Sequence, residues 1–437
     1  MATVMKPKHF LIPALAFTYL LAGFFAKAED WPGWRGRRGD GTSNEKNVPV
    51  QWNVPSGEGL LWKTPLTADG HAGPIVWRDR VFVVGCNQKT LERTLACLDR
   101  DSGKVLWERS VFRGPLETKH ALNSFASSTP ATDGKLVFVS FLEVDGSTIP
   151  APNVGAPRPI TPGKMVIAAY DFEGRQKWLV RPGEFISAHG YCASPVLYEN
   201  TVIINGDHDG KSYIVALDKQ TGEQVWKIDR EHGIRSYVTP LIRNIDGRTQ
   251  MMVSGSKHIL SIDPQDGSEQ WRIEGPTEQF VASMVYDGKL LFMAAGFPTY
   301  HVMGIRPDGQ GDVTETHVAW HAENAKCYVP SPVVVGGYLI VPDDRGTANC
   351  FDAATGERYW QERLGKHYSA SLVTVGGLVY LVADDGITKV IRPGPKLEVV
   401  AENPLGEHCY SSPAISQGRI FLRGEKHLYC LGEKGAE

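Results

Sequence analysis

The sequence predicts an all-β fold: one eight-bladed β-propeller of four-stranded antiparallel blades, its ring closed by an N-terminal strand that completes the last blade. Three observations carry this expectation. The 437 residues include 46 Gly, 28 Pro and 11 Trp, with Gly above the usual ~7%, as short strands joined by tight turns require. A turn motif recurs in which Trp lies four residues after Gly. Trp62, Trp107, Trp178, Trp226, Trp271, Trp320 and Trp360 follow one another at intervals of 45, 71, 48, 45, 49 and 40 residues, the period of a propeller blade.

The motif is clearest at Ala216-Leu-Asp218-Lys-Gln-Thr-Gly222-Glu-Gln-Val-Trp226. It returns at Cys97 to Trp107, Ser261 to Trp271 and Cys350 to Trp360, and one residue shorter at Tyr170 to Trp178. Apolar residues before the Asp read as a buried strand. The Asp bonds its own backbone two residues on and starts a turn, Gly supplies positive φ, and Trp sits on the returning strand. A second piece precedes each motif: Ser or Thr followed by Pro, an apolar run, a two-residue turn and another apolar run. Ser194-Pro195, Thr239-Pro240, Ser331-Pro332 and Ser412-Pro413 open such pieces, with turns such as Asp133-Gly134, Asp287-Gly288 and Gly376-Gly377. These dipeptides favour hairpins, and Pro suits the first residue of a strand.

Eight openings are expected, near Pro74, Pro130, Pro195, Pro240, Met284, Pro332, Leu372 and Pro413. The last precedes only three strands. The fourth is found in Gly59 to Leu66, a Trp-bearing strand with no partners before it. The expected organisation is a signal peptide over 1–28, a leader over 29–58, the propeller over 59–433 and a tail over 434–437. The long interval after Trp107 is an insertion in blade 2, 144–164, whose five Pro residues suggest an exposed extended loop.

The N-terminus reads as an export signal. Lys6 and Lys8 precede an uncharged apolar run from Phe10 to Ala26, and Ala26-Lys27-Ala28 is a small-x-small cleavage site. No Cys follows the run, so no acylation site is present, and removal of Lys6, Lys8 and Lys27 would make a slightly acidic chain more so. No other stretch spans a bilayer as a helix. A formal charge of −3 lacks the basic surplus of a nucleic-acid binder. The seven Cys form no Cys-x-x-Cys pair, which leaves zinc-ribbon and thioredoxin-type sites without support. No hydrolase, metalloprotease or phosphate-loop motif occurs either.

The Ala216 to Trp226 pattern resembles the repeat of the pyrroloquinoline-quinone (PQQ) type propellers, and the resemblance covers about residues 59–433. Leader residues Asp30 to Gly36 are similar to the opening segment of exported bacterial proteins of this class. Two groups share the repeat. Quinoprotein dehydrogenases bind PQQ and a metal on the axis, which implies PQQ and calcium as cofactors if this chain is an oxidoreductase. The propeller of the outer-membrane barrel assembly machinery, BamB, has no cofactor and implies a protein partner. This chain lacks the adjacent cysteines of quinoprotein alcohol dehydrogenases and the acylated Cys of BamB lipoproteins.

In a propeller the first strand of each blade lines the axis, so the residues before each opening should converge at one mouth. Those approaches hold His71, His120, His189, Tyr191, Arg235, Tyr237, Lys326, Tyr328, Lys366, His367, Tyr368, His408 and Tyr410, the candidate ligand-binding residues. No catalytic or metal-ligating set is identified. The loops at 206–210, 343–346 and 384–386 resemble calcium loops in composition but lack the full spacing, so they read as turns. Arg35 to Gly39 reads as a solvated basic segment. The expected function is an exported binding or scaffold module of the bacterial cell envelope, periplasmic or secreted, monomeric and without bound PQQ. Its partner is a protein, or a small-molecule or carbohydrate ligand at the mouth. The alternatives are a periplasmic quinoprotein oxidoreductase and a polysaccharide-binding propeller.

Overall fold

The computed structural model describes residues 1–2 and 29–433. The expected signal peptide, apart from its first two residues, and the C-terminal tail lie outside the described residues. Eight antiparallel sheets form the ring. Blades 1 to 7 span 75–113, 131–180, 196–229, 241–274, 285–322, 333–363 and 373–404, and blade 8 combines 414–431 with Leu60–Pro65. Each first strand begins one residue after its expected opening. In blade 8 the N-terminal strand pairs antiparallel with His427–Leu431, Trp62 opposite Cys430, and so closes the ring. No helix among the described residues is long and apolar enough to cross a membrane.

The Gly and Trp of one motif do not pack on each other; they interlock neighbouring blades. The indole N–H of Trp62 donates to Arg100 O in the turn of blade 1, Trp107 to Phe172 O of blade 2, Trp178 to Lys219 O of blade 3 and Trp226 to Pro264 O of blade 4, at 2.8–3.1 Å. Trp320 and Trp360 repeat the pattern one blade on. Trp271 does so through a relay: it donates to Gln250 Oε1, and Gln250 Nε2 donates to Pro307 O of blade 5. Gly103, Gly174, Gly222, Gly267 and Gly356 each lie against the indole that the turn receives. A Cβ on Gly222, at φ 76°, would stand 2.8 Å from the Trp178 ring. Blade 7 has Ala401 where blade 6 has Trp360. The physical reason is ring closure: the outer two strands of blade 8 come from opposite ends of the chain, so no covalent turn exists there to receive an indole. Trp226 is buried. Trp226→Ala should therefore cost about 3–5 kcal/mol, measured by urea unfolding; a loss below about 1 kcal/mol would contradict the interlock.

The Ser/Thr of five openings has a second role beside starting a strand. Its backbone N–H donates to the equivalent hydroxyl of the next blade: Thr129 to Ser194, Thr239 to Ser283, Ser283 to Ser331, Ser331 to Ser371 and Ser371 to Ser412, at 2.9–3.1 Å. Gly73 N joins the belt through Thr129 Oγ1. The belt runs as two arcs around the axis, blades 1 to 3 and 4 to 8, and leaves the hydroxyl protons free for other acceptors.

The insertion in blade 2 is more ordered than an extended loop. Ile149–Pro150 pairs with Pro159–Ile160, and the tip is pinned by Asn153, whose Nδ2 donates to Gly233 O and Asp209 Oδ1.

Candidate functional site

The first strands run from the mouth to the far end of the channel, and the leader occupies that far end. Trp31 exchanges two backbone bonds with Val76 of blade 1, and Thr132 N of blade 2 donates to Pro32 O. Asp40 pairs with Arg243 of blade 4. Thr42–Ser43 adds a parallel strand to the inner edge of blade 7, Thr42 opposite Thr374. Glu29 and Glu45 hold Ser416, Gln417 and Gly418 of blade 8. Gly41 takes φ 82°, and a Cβ there would stand 2.6 Å from Leu372 O.

Arg35, expected in a solvated basic segment, is instead 2% exposed. Its Nη2 donates to Pro332 O and, at 3.1 Å, to Leu372 O, both at the inner ends of blades 6 and 7. Burial lowers its pKa to about 10, opposed by Asp40, so it is charged at neutral pH. The reason for the difference is geometric: a guanidinium can serve converging carbonyls that local sequence does not reveal.

Beyond the leader, the mouth side holds a cavity of about 370 Å³, within the ~300–1,000 Å³ of small-molecule sites. Trp34 lines this cavity and also the leader cleft on the far side. Its indole N–H is buried without an acceptor. The channel is thus a cup with Trp34 in its floor.

Of the thirteen candidates, His71, His120, His189, Tyr237, Tyr328, His367 and Tyr410 line the cup. The other six do not. Tyr191 packs on Phe185 and donates to Ser140. Arg235 is buried against Asp209 at 2.8 Å. Tyr368 lies in the core beneath blades 6 and 7. His408 is tied to Asp384 O. Lys326 is exposed, and Lys366 points to solvent beside Asp385. Extended backbone explains most of this, because alternate residues face opposite ways. Counting back two from the belt position gives His71, Ser127, Cys192, Tyr237, Val281, Val329, Ser369 and Tyr410. All eight line the cup, one from each blade. That spacing is the signal the sequence held and residue type alone missed.

Beneath this ring the belt residues Ser194, Thr239, Ser331, Ser371 and Ser412 add hydroxyls. The rings stack around the wall: His71 on Tyr410 at 4.5 Å and His189 on Tyr237 at 6.3 Å. Asp residues of the middle hairpins, which read as turns in the sequence, clamp the approaches. Asp384 accepts from Ser369 N and Oγ and lies 2.6 Å from His367 Nδ1. Asp207 and Asp209 hold the buried Arg230 and Arg235.

Burial governs the titration of the cup's wall. Burial, with Arg423 and Lys119 nearby, pushes His71 down to about 4, and burial with Arg235 does the same to His189. Burial pushes Cys192 up to about 12. Among the described residues Asp344 is the only carboxylate in the wall, raised by burial and by Asp343, and no Lys or Arg lines it. PQQ is a tricarboxylate, and this wall offers it no Lys or Arg. A calcium ion would find one carboxylate and the Asn123 amide. The residues present fit neither group.

The depressed histidines set an acid limit. His71, His189 and His208 all titrate near 4 when folded, against 6.5 for a free imidazole. The unfolded chain therefore binds more protons between those values, and stability should fall as pH drops from about 6.5 towards 4. A melting temperature that stays flat from pH 7 to 4.5 would contradict this.

The comparisons with known proteins agree with the architecture. A family model described as outer membrane protein assembly factor BamB matches residues 50–151, 158–295 and 312–392. A BamB of Burkholderia pseudomallei (strain K96243) is 29% identical over 113 residues, which is 25% of this chain and 29% of that protein. Among solved structures, BamB from Moraxella catarrhalis superposes with a TM-score of 0.59 at 13% identity, covering 86% of this chain and 98% of that one. A europium-containing methanol dehydrogenase gives 0.61 at 13% identity, with 91% and 90% covered. Those identities speak to the fold alone. The family model spans well over half of the sequence, and the chain belongs to the family it describes, outer membrane protein assembly factor BamB, as a PQQ-repeat β-propeller.

Proposed function

We propose that this protein is an exported binding module of the bacterial cell envelope, whose axial cup takes an uncharged, hydroxyl-rich ligand and not PQQ. The observation that carries the reading is the cup's wall: imidazole and phenol side chains over a row of hydroxyls, with no Lys or Arg among the described lining residues. Stacked rings suit the apolar faces of sugar rings, and free hydroxyls suit their edges. The unpartnered Trp34 N–H supplies a further donor. Export is supported by the leader as well. Cleavage after Ala28 would leave the amine of Glu29 against Glu45 Oε1, 2.5 Å away, where a new positive charge strengthens docking.

A protein partner is the second reading, and it rests on the mouth rim. Leu122 and Phe297 are 47% and 48% exposed there, apolar groups that a docking chain would cover.

Both readings are tested with the purified mature protein. PQQ with Ca²⁺ should neither co-elute nor support dye reduction by alcohols, whereas a neutral saccharide from a glycan panel should raise the melting temperature. Tyr237→Ala and Tyr410→Ala should weaken that ligand about tenfold, on the order of one lost aromatic contact. Stoichiometric co-elution of PQQ with turnover would overturn the proposal. So would a panel without a binder combined with envelope extracts that yield no partner.

A further inference from the structure

Blade 5 carries a second constellation of donor groups, separate from the cup. His301 opens the third strand of the blade (His301–Ile305), and His321 lies on the fourth (Val318–Ala322). The register pairs Val302 with Ala322 and Met303 with His321. His301, His321 and the following Glu323 therefore share one face of the hairpin. His301 Nδ1 and His321 Nε2 are 2.9 Å apart. Glu323 Oε1 lies 3.8 Å from the first and 3.9 Å from the second.

These distances bracket the edges of a metal-binding triangle. Zinc at about 2.0–2.1 Å from each of three tetrahedral donors places those donors about 3.3–3.4 Å apart. A spread of a few tenths of an ångström per atom converts the observed triangle into that one. The tautomer is also arranged. His301 Nε2 lies 2.7 Å from Thr299 Oγ1. A proton on Nε2 donates to this hydroxyl and leaves the Nδ1 lone pair facing the triangle, as a second-sphere partner does for a metal-bound histidine. His301 is 6% exposed, which fixes its ring, while His321 and Glu323 face solvent and leave a way in. The two imidazoles are Glu323's ion-pair partners among the described residues.

We propose that His301, His321 and Glu323 form a site for a borderline divalent cation, zinc above all, with its fourth position open to water or to a partner's side chain. Two imidazoles and one carboxylate are the donors such ions take, and the set is unsuited to Mg²⁺ or Ca²⁺, which favour all-oxygen shells. The family model's match skips 296–311, the segment that bears Thr299 and His301. A second cluster, Glu231, His232 and His258, is a weaker candidate because His258 Nε2 already lies 3.3 Å from Glu274.

The test uses the untagged mature protein and Zn²⁺ alone, titrated calorimetrically, with Co²⁺ absorption as a geometric readout. One equivalent should bind, and Co²⁺ should give the visible bands of a four-coordinate ion. His321→Ala and Glu323→Gln alter exposed side chains and should leave the melting temperature of the metal-free protein unchanged. Each should weaken Zn²⁺ by about 100-fold or more, beyond the ~10–100-fold expected of the second-sphere variant Thr299→Val. His232→Ala should have no effect. Absence of stoichiometric binding, or binding that survives His321→Ala but is lost in His232→Ala, would overturn the proposal.

Discussion

Replacing residues 59–66 by a Gly/Ser linker of equal length should prevent the protein from accumulating as a folded monomer. The segment supplies the outermost strand of blade 8, and with it Trp62, 8% exposed and bonded to the turn of blade 1. Burying an indole of ~150–250 Å² at ~25 cal/mol per Å² is worth about 4–6 kcal/mol. Leu60 and Leu61 pack on the same core, and the backbone bonds to His427–Leu431 are lost with them. The combined loss is on the order of the whole ~5–15 kcal/mol by which native domains are stable. It also bares the edge of His427–Leu431, which invites pairing with another chain. Size-exclusion chromatography and thermal melting read the outcome. A soluble monomer with an unchanged melting temperature would mean that the strand does not close the ring.

Arg35→Met should release the leader from the far end of the channel while leaving the blades folded. The substitution keeps the aliphatic bulk and removes the donor to Pro332 O and Leu372 O. Each bare buried carbonyl costs ~1–3 kcal/mol, so docking weakens by about 2–6 kcal/mol. The blades keep their own cores and the Trp interlock, so the main melting transition moves little. Trypsin should then cut after Arg37 and Arg38 in the variant much faster than in the parent protein. Equal resistance in the two proteins would show that Arg35 does not hold the leader.

Much of the ring is legible in the sequence because its determinants are local and repeated. The Asp-to-Trp spacing of Ala216 to Trp226 encodes a strand, a turn and a returning strand within eleven residues. The partner of each Trp is not local. Trp226 meets Pro264, and Trp271 needs Gln250 as a relay, so the interlock appears only when adjacent blades are seen together. The cup was half legible. The approaches named its wall, but Tyr368 and Lys366 flank His367 and face away from the axis, since residue type does not say which way an extended chain points. The leader was the least legible part. Arg35 to Gly39 carries the charge of a surface segment, and its burial depends on carbonyls about 300 residues away.

The claim that joins these parts is that the leader seals one end of the ring and turns a channel into a cup. Hydrogen exchange across residues 31–43 tests it most directly, because backbone amides there and opposite them are bonded: Trp31 with Val76, Gly41 to Arg35, Thr132 to Pro32 and Thr374 to Gly41. A sealed cup predicts that these amides exchange as slowly as those of the inner blade strands. Exchange as fast as in the exposed turn at 145–147 would contradict it and leave the ring open at both ends.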